Sequence, residues 1–562
     1  MKKRDLKLNV IVLIICILLF LTSTSLYISY NSTKITVENN SMENLRLSTT
    51  FDATEIDDSP SSLNNWIWAK TQGICNGSGT QIDPYVIDGH IFHPTTSWDC
   101  LRIINSRKYF TVINCEFRYA PAVYSGIFLA NTTNGRIINN EFFGNMYGIY
   151  ALSINDTEIS GNHIYLNDGD GIFISTSYGN TISNNNLSSN GWQGMWMEFS
   201  ANNTLSGNTA YNNNLSGLYL FTCDYSTVKG NFLYKNSFSG LSINNNTFAK
   251  IENNVIQENK IEGIYLNGNL ESLIVSNIIE DNGLYGIYTF NSTYTLIIEN
   301  HIYSNLGDGI FINASRRNTI SYNNISSNGW QGIWIQFSVN NAFAENIANN
   351  NNLSGFYIFT CKYSFIFRNV LNNNAFSGLT IRDSTNATVS ENEIRENNRE
   401  GIYFNTNLDI RILENNLEAN GLNGIHVELS NQSIISENTV NDNGLYGIYF
   451  DENSNDNNIY LNCFNNSINA IDNGTNNHWD NGVKGNFWAD YSGLDADSNG
   501  IGDVPYNITG SAGSQDNFPL MKCPLPLETG RRAIPGYNQL IILSIMIFSI
   551  GIIWVIRCKR RF

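Results

Sequence analysis

The sequence predicts an all-β fold, a parallel β-helix solenoid of about fifteen coils, and three observations predict it. A unit that opens with glycine and an apolar residue returns from Gly126 to Gly447, and every step after the first is 23 residues. Fourteen residues after each of these glycines, up to Gly424, stands an asparagine, a ladder that runs from Asn140 and stops after Asn438. Between the markers lie short β-rich runs, Gly171 to Ile174 and Thr181 to Ser183 among them, too short for helices and too evenly spaced for unrelated strands.

Glycine and asparagine tolerate the left-handed backbone of a tight turn, so both markers are expected at corners, with the Asn amides hydrogen-bonding from coil to coil. Stacking then buries an aliphatic column that no single coil could form, and both ends need caps over open sheet edges. A second period overlies the first. Gly191-Trp192-Gln193-Gly194 returns as Gly329-Trp330-Gln331-Gly332, six coils later, as expected of a solenoid that grows by duplicating whole coils.

The composition fits one long repeated unit: 44 Gly, 9 Pro and 42% hydrophobic residues in 562. A formal net charge of −17 without a basic stripe argues against a nucleic-acid partner. Lys2, Lys3 and Arg4 precede an apolar run from Val10 to Leu21, the pattern of an export segment over 1–30, either a cleaved signal peptide or a retained N-terminal anchor. At the other end an apolar stretch from Leu540 to Ile556 meets Arg557, Lys559, Arg560 and Arg561, which predicts membrane anchoring by a stalk and tail over 524–562, with everything between facing outward. The expected layout between them is an N-terminal cap and first coils at 64–115, repeats at 116–470 and a C-terminal cap at 471–523.

Cysteine usage is not that of a dense disulfide framework. Cys223 and Cys361 occupy equivalent places six coils apart, which at roughly 4.8 Å per coil is about 29 Å and beyond bonding reach; they are expected to be core thiols. Cys75 with Cys100, and Cys463 with Cys523, stay open as pairings in the end regions.

Two segments are the most specific: Gly77-Ser78-Gly79-Thr80 through Pro84 to Gly89, and Asn477-His478-Trp479-Asp480 through Asp516 to Met521. With the repeats they make residues 70 to 521 resemble the pectin-lyase-like superfamily of right-handed β-helices, in particular proteins with NosD-type repeats and the carbohydrate-binding and sugar-hydrolysis repeat. The two segments look like that family's caps, and the closing one resembles those of archaeal surface members. Pro535-Gly536-Tyr537 resembles archaeal C-terminal sorting signals.

The residue two after each repeat glycine should face outward, and it is aromatic in most coils, interrupted at Ser242 and Thr380. Such a stripe either stabilises neighbouring coils or forms a platform for a glycan. Trp192, Trp196, Tyr219, Trp330, Trp334 and Tyr357 are the ligand candidates. Asp170, Glu198, Asp308 and Glu428 stand nearby and are expected to be solvated edge charges, since Gln336 replaces Glu198 in the second copy and no acid–base pair emerges from spacing. No catalytic residue is assigned. Copper, which the NosD resemblance implies, finds no compact His or Met cluster. Calcium has a local case: Asp495, Asp497, Asn499 and Asp503 place oxygens at alternate positions around Gly500, like the front of an EF-hand, but Tyr506 stands where that loop has its bidentate Glu. An Asx-turn loop explains the same residues without an ion. Asn-x-Ser/Thr sequons, Asn131 and Asn186 among them, fit a glycosylated exterior. The expected function is a cell-surface β-helix that binds glycans or neighbouring surface proteins, with a polysaccharide lyase or hydrolase and a passive structural element as alternatives.

Overall fold

The structure, a computed structural model, describes residues 48–524. The export segment and all but the first residue of the anchoring tail therefore lie outside the described residues, as do Cys16 and Cys558. Among the described residues no helix is long and apolar enough to cross a membrane.

The chain winds through three parallel sheets. The first starts at Thr54–Asp57 and ends at Ala470–Asp472, and most of its strands hold four residues; Ile172–Ser175 and Ile310–Asn313 are examples. It contains eighteen strands, so the solenoid has three more turns than the glycine count predicts. The extra turns lack the marker: register places Ala53, Cys100 and Asn469 where the other coils have glycine. The second sheet stacks three-residue strands such as Thr181–Ser183, and the third stacks Asn186–Ser188 and its equivalents. Where Ile347 and Val370 replace whole strands, single bridges carry the third sheet across.

Alternation along these strands sends two side chains of the first sheet and one from each other sheet inward. In one coil these are Ile264, Leu266, Ile274 and Ile279, all fully buried. Stacking such sets at the rung spacing gives one unbroken aliphatic core.

The asparagine ladder holds the corner between the second and third sheets. Asn185 donates its amide Nδ2 to Asn208 Oδ1 at 2.9 Å and to the Ile159 carbonyl at 2.9 Å, while its Oδ1 accepts the Asn162 backbone N–H at 3.0 Å. The ladder does not stop at Asn438. It continues through Asn462 and Asn486 with steps of 24 residues and ends where the Asn486 N–H donates to the Asp516 carboxylate. A parallel ladder runs five residues further on, from Asn145 through Asn167 and Asn190 to Asn466.

The left-handed corner residue is neither marker. It is the one before each ladder asparagine up to Asn462: Asn184 (φ 55°), Gly207 (φ 64°) and Glu299 (φ 56°) are examples. The repeat glycines are needed for space, because a Cβ at Gly171 would lie 2.5 Å from the Gly194 carbonyl oxygen and 2.9 Å from Asn190 Nδ2.

The ends differ from the repeats. Helix Trp66–Thr71, capped by Asn65, lays the buried Trp66 over the first coils, with its indole N–H donating to Ser106 Oγ. At the far end Trp479 and Trp488 donate to the Asp472 and Asp516 carboxylates, and Cys463 is disulfide-bonded to Cys523. Cys75 and Cys100 do not pair; with Cys115, Cys223 and Cys361 they are buried thiols. Cys361 sits in a column of hydroxyls and amides, where its N–H donates to Ser384 Oγ.

Replacing Asn277 by Ala removes the oxygen that accepts the backbone and side-chain N–H groups of Asn254 and the amide that donates to the Ile251 carbonyl. Chemical denaturation followed by circular dichroism should show a loss of about 2–4 kcal/mol, against less than about 0.5 kcal/mol for an exposed polar position such as Asn398 changed to Ser.

Candidate functional site

The outward positions of the first sheet are where the coils differ in chemistry rather than in packing. Parallel pairing sets the residue two after each repeat glycine beside its counterpart: Tyr150 on Phe173, Phe173 on Trp196, Trp196 on Tyr219. The rings meet, with centroids 4.7 Å apart for Tyr150 and Phe173 and 5.6 Å for Trp196 and Tyr219. The second half repeats the arrangement, with Tyr288 and Phe311 at 4.9 Å, Phe311 and Trp334 at 4.8 Å, and Trp334 and Tyr357 at 6.0 Å. Ser242 and Thr380 break the stripe where hydroxyls pair across coils, with Ser216 at 3.1 Å and Ser354 at 3.2 Å.

All six candidate aromatic residues lie along this face. Trp192 and Trp330, at the turn leading into it, are the most open, 37% and 39% exposed, while Trp196, Tyr219, Trp334 and Tyr357 are half-buried. Each open tryptophan stands edge-on to a tyrosine that spacing alone did not single out: Trp192 to Tyr147 at 6.0 Å, Trp330 to Tyr285 at 6.1 Å. These tyrosines also touch Phe173 and Phe311, so each half carries a compact cluster of rings.

Below each cluster is a carboxyl. Asp170 and Asp308 are fully buried, which corrects the expectation of solvated edge charges. The residue before each repeat glycine packs into the corner under the rings, and Asp170 Oδ1 accepts only the Gln193 backbone N–H at 2.9 Å, as Asp308 Oδ1 accepts that of Gln331 at 2.8 Å. Burial pushes both carboxyls up from the ordinary 3.8 to about 7, against the lowering effect of those single hydrogen bonds. Asp170 Oδ2, Gln193 Oε1 and Trp196 Nε1 are buried without a protein partner, and so are Asp308 Oδ2, Gln331 Oε1 and Trp334 Nε1. The signal was present in sequence, because this column is polar although it leads into a buried strand.

The same column holds Glu262 and Glu400, and here the halves part. Burial raises the Glu262 carboxyl despite the Ser239 hydroxyl, 2.7 Å away. At Glu400 burial acts in the same direction, but the nearby His426 ring and the Ser377 hydroxyl, which donates at 2.9 Å, outweigh it and hold the carboxyl low. His426 Nδ1 is 3.9 Å from Glu400, the Tyr403 hydroxyl donates to Glu428, and Tyr403 and His426 lie edge to face at 5.2 Å. Six coils earlier Tyr288 and Phe290 stand where His426 and Glu428 do, so this acid–base cluster near the C-terminal end of the face is not repeated there.

Asp495, Asp497, Asn499 and Asp503 lie in an exposed loop that uses its own backbone. Asp495 accepts N–H bonds from Asn499 and Gly500, both at 3.0 Å, and Asp503 accepts that of Ala496 at 2.8 Å. Tyr506 stacks on the buried Trp488 at 4.3 Å and donates to Asp490, a structural contact at the position where an EF-hand needs its last ligand. Among the described residues no group of three or more His, Cys, Asp and Glu side chains is placed to hold a metal ion.

Comparison with known proteins places this geometry. The family described as "Right handed beta helix region" matches residues 74–233, 147–294 and 216–364, together more than half of the chain. A second family, "Periplasmic copper-binding protein (NosD)", matches 330–493. That segment does not fit copper: His426, His478 and the Cys361 thiol stand in separate coils, and Cys463 is in the disulfide. No curated protein matches. Among solved structures, the A-module of mannuronan C-5 epimerase AlgE4 from Azotobacter vinelandii is 15% identical over 52% of this chain and 86% of its own, with a TM-score of 0.32. The periplasmic alginate epimerase AlgG is 13% identical over 71% of this chain and 84% of its own, at 0.31. Pectate lyase Pel9A is 15% identical over 43% and 75%, also at 0.31.

A carboxyl whose folded pKa lies above its unfolded value keeps its proton longer in the folded protein. The stability that depends on neutral Asp170 and Asp308 is thus fully present below about pH 4 and is lost as the pH rises through about 7. The double change Asp170→Asn and Asp308→Asn should stabilise the protein at pH 8 by about 2–4 kcal/mol per site. Thermal melts should show that gain disappearing at pH 3.5.

Proposed function

The chain belongs to the right-handed β-helix family, and from that premise we propose that it works outside the cell as a surface protein that binds a glycan along the aromatic face of its first sheet. The observation that carries this reading is the pair of ring clusters, each with an exposed tryptophan and with buried polar atoms that no protein group satisfies. Flat rings offer apolar area for the faces of a sugar, and the outward Ser, Asn and Gln side chains beside them offer hydrogen bonds to its hydroxyls. An aromatic stripe made only for coil-to-coil packing has no use for unpaired indole N–H groups. Location outside the cell is supported by the Cys463–Cys523 disulfide, which suits an oxidising compartment, and by the export-type first thirty residues.

The second reading is catalysis on the same glycan, favoured by one observation: Glu400, His426, Tyr403 and Glu428 bring an acid, a base and a phenol together on the face. A neighbouring surface protein is the other occupant such a face could hold.

A glycan array probed with the full-length chain, with and without added calcium, tests the first reading. Signal should be present for the native chain and lost when Trp196→Ala and Trp334→Ala are combined, with circular dichroism unchanged. Absence of binding to any glycan would overturn the reading in favour of a protein partner, and calcium dependence would bring the Asp495–Asp503 loop into it. New reducing ends or unsaturated products that vanish with His426→Ala would assign catalysis.

A further inference from the structure

The two ring clusters are copies of one another, and the copying was selective. Between the first half and the second, Ser175 became Asn313, Tyr178 and Gly179 became Arg316 and Arg317, and Glu198 became Gln336. Tyr147, Asp170, Trp192, Gln193 and Trp196 came through unchanged in type, and the contact geometry came with them. The three atoms without a partner are also the same three in each half. This fold pairs indole N–H groups where packing alone is at stake: Trp66, Trp479 and Trp488 all donate to side chains. The unpaired donors of Trp196 and Trp334 are therefore a feature of the clusters rather than of tryptophan in this solenoid.

The surface between them constrains the ligand. Six successive register steps lead from Trp196 to Trp334, which at the rung spacing is about 29 Å. From Phe173 to Phe359 the outward positions of the first sheet are aromatic residues, Ser, Asn and Gln, with one charge, Glu198, and no Lys or Arg. A polyuronate would set its carboxylates beside Glu198, the one charge of these positions, with no cation among them to neutralise either. The hydroxyls of an uncharged sugar both donate and accept, which matches the Ser, Asn and Gln side chains among these outward positions.

We propose that the two halves are two equivalent sites for one neutral polysaccharide, which the protein holds bivalently along its first sheet. The proposal rests on the glycan reading above and adds the ligand's charge class, its minimum span and the number of sites. Because the solenoid fixes the distance between the sites, a polymer bound at one presents its continuation to the other at high effective concentration, so affinity for the polymer exceeds that for a short oligosaccharide by on the order of 10² or more.

Isothermal titration calorimetry in solution, with the full-length chain and a chelator present, reads all three features. The probes are a β-1,4-glucan, a β-1,4-mannan and a β-1,3-glucan with their oligosaccharides, and polygalacturonate and alginate as charged counterparts. A neutral polymer should bind most tightly, and its short oligosaccharides should titrate weakly at two per chain. Trp192→Ala with Trp196→Ala, or Trp330→Ala with Trp334→Ala, should each weaken the polymer at least tenfold and leave one oligosaccharide per chain; all four together should abolish binding. Trp196→Phe and Trp334→Phe keep one aromatic ring in place and remove the indole N–H together with the second ring. They should each weaken the oligosaccharide several-fold with the melting profile intact, a result that loss of folding cannot imitate. One oligosaccharide per native chain, single-half variants within twofold of the native polymer affinity, or a polyuronate as the tightest ligand would overturn the proposal and leave glycan binding standing. Failure of every polymer and oligosaccharide to bind would overturn both.

Discussion

Every structural feature of this chain depends on one constraint: each coil can satisfy its polar groups only through the coils above and below it. Strand N–H and carbonyl groups pair with neighbouring rungs, and the amide of a ladder asparagine such as Asn185 is shared between Ile159 on one side and Asn208 on the other. Four buried aliphatic side chains cannot offset the ordering of a whole coil by themselves, so no coil is stable alone. Register, once set, is passed along the stack. The step changes to 24 residues only near the C-terminal end, where the last rungs approach their cap.

That constraint leaves one part of each coil free. Inward positions are committed to apolar side chains, mostly Ile and Leu, and corners to Asn, Gly and left-handed residues, whereas the outward positions of the first sheet need only avoid clashes with the rung next to them. Whatever stands there is repeated at the rung spacing, so like side chains become columns. Duplication of six coils then yields two ring clusters on one rigid face without any new fold. Divergence along the array shows in the same columns, where Tyr288 and Phe290 correspond to His426 and Glu428 six coils later and only the later pair belongs to an acid–base cluster.

The repeat, the ladder and the outward aromatic stripe were legible because each is a matter of period, and period survives without coordinates. The extra turns were hidden because Ala53, Cys100 and Asn469 replace the glycine used as the marker. Asn462 and Asn486 were passed over because their step is 24 rather than 23. The role of the repeat glycine was misread as backbone freedom, since sequence shows which residue recurs but not that the next coil's carbonyl lies 2.5 Å from where its Cβ would be. Asp170 and Asp308 were read as exposed for a related reason: position in the repeat predicts a corner but not the rings that close over it.

By itself the sequence determined the parallel solenoid, its coil length, its aliphatic core and the face on which the aromatic residues gather, because strand alternation and a constant period dictate all four. Only the tertiary structure decided which carboxyls are buried and neutral, which indole N–H groups lack a partner, and that Cys463 rather than Cys75 or Cys100 is bonded. These are properties of contacts between coils, and a contact depends on what the neighbouring rung places within a few ångströms rather than on any period the chain displays.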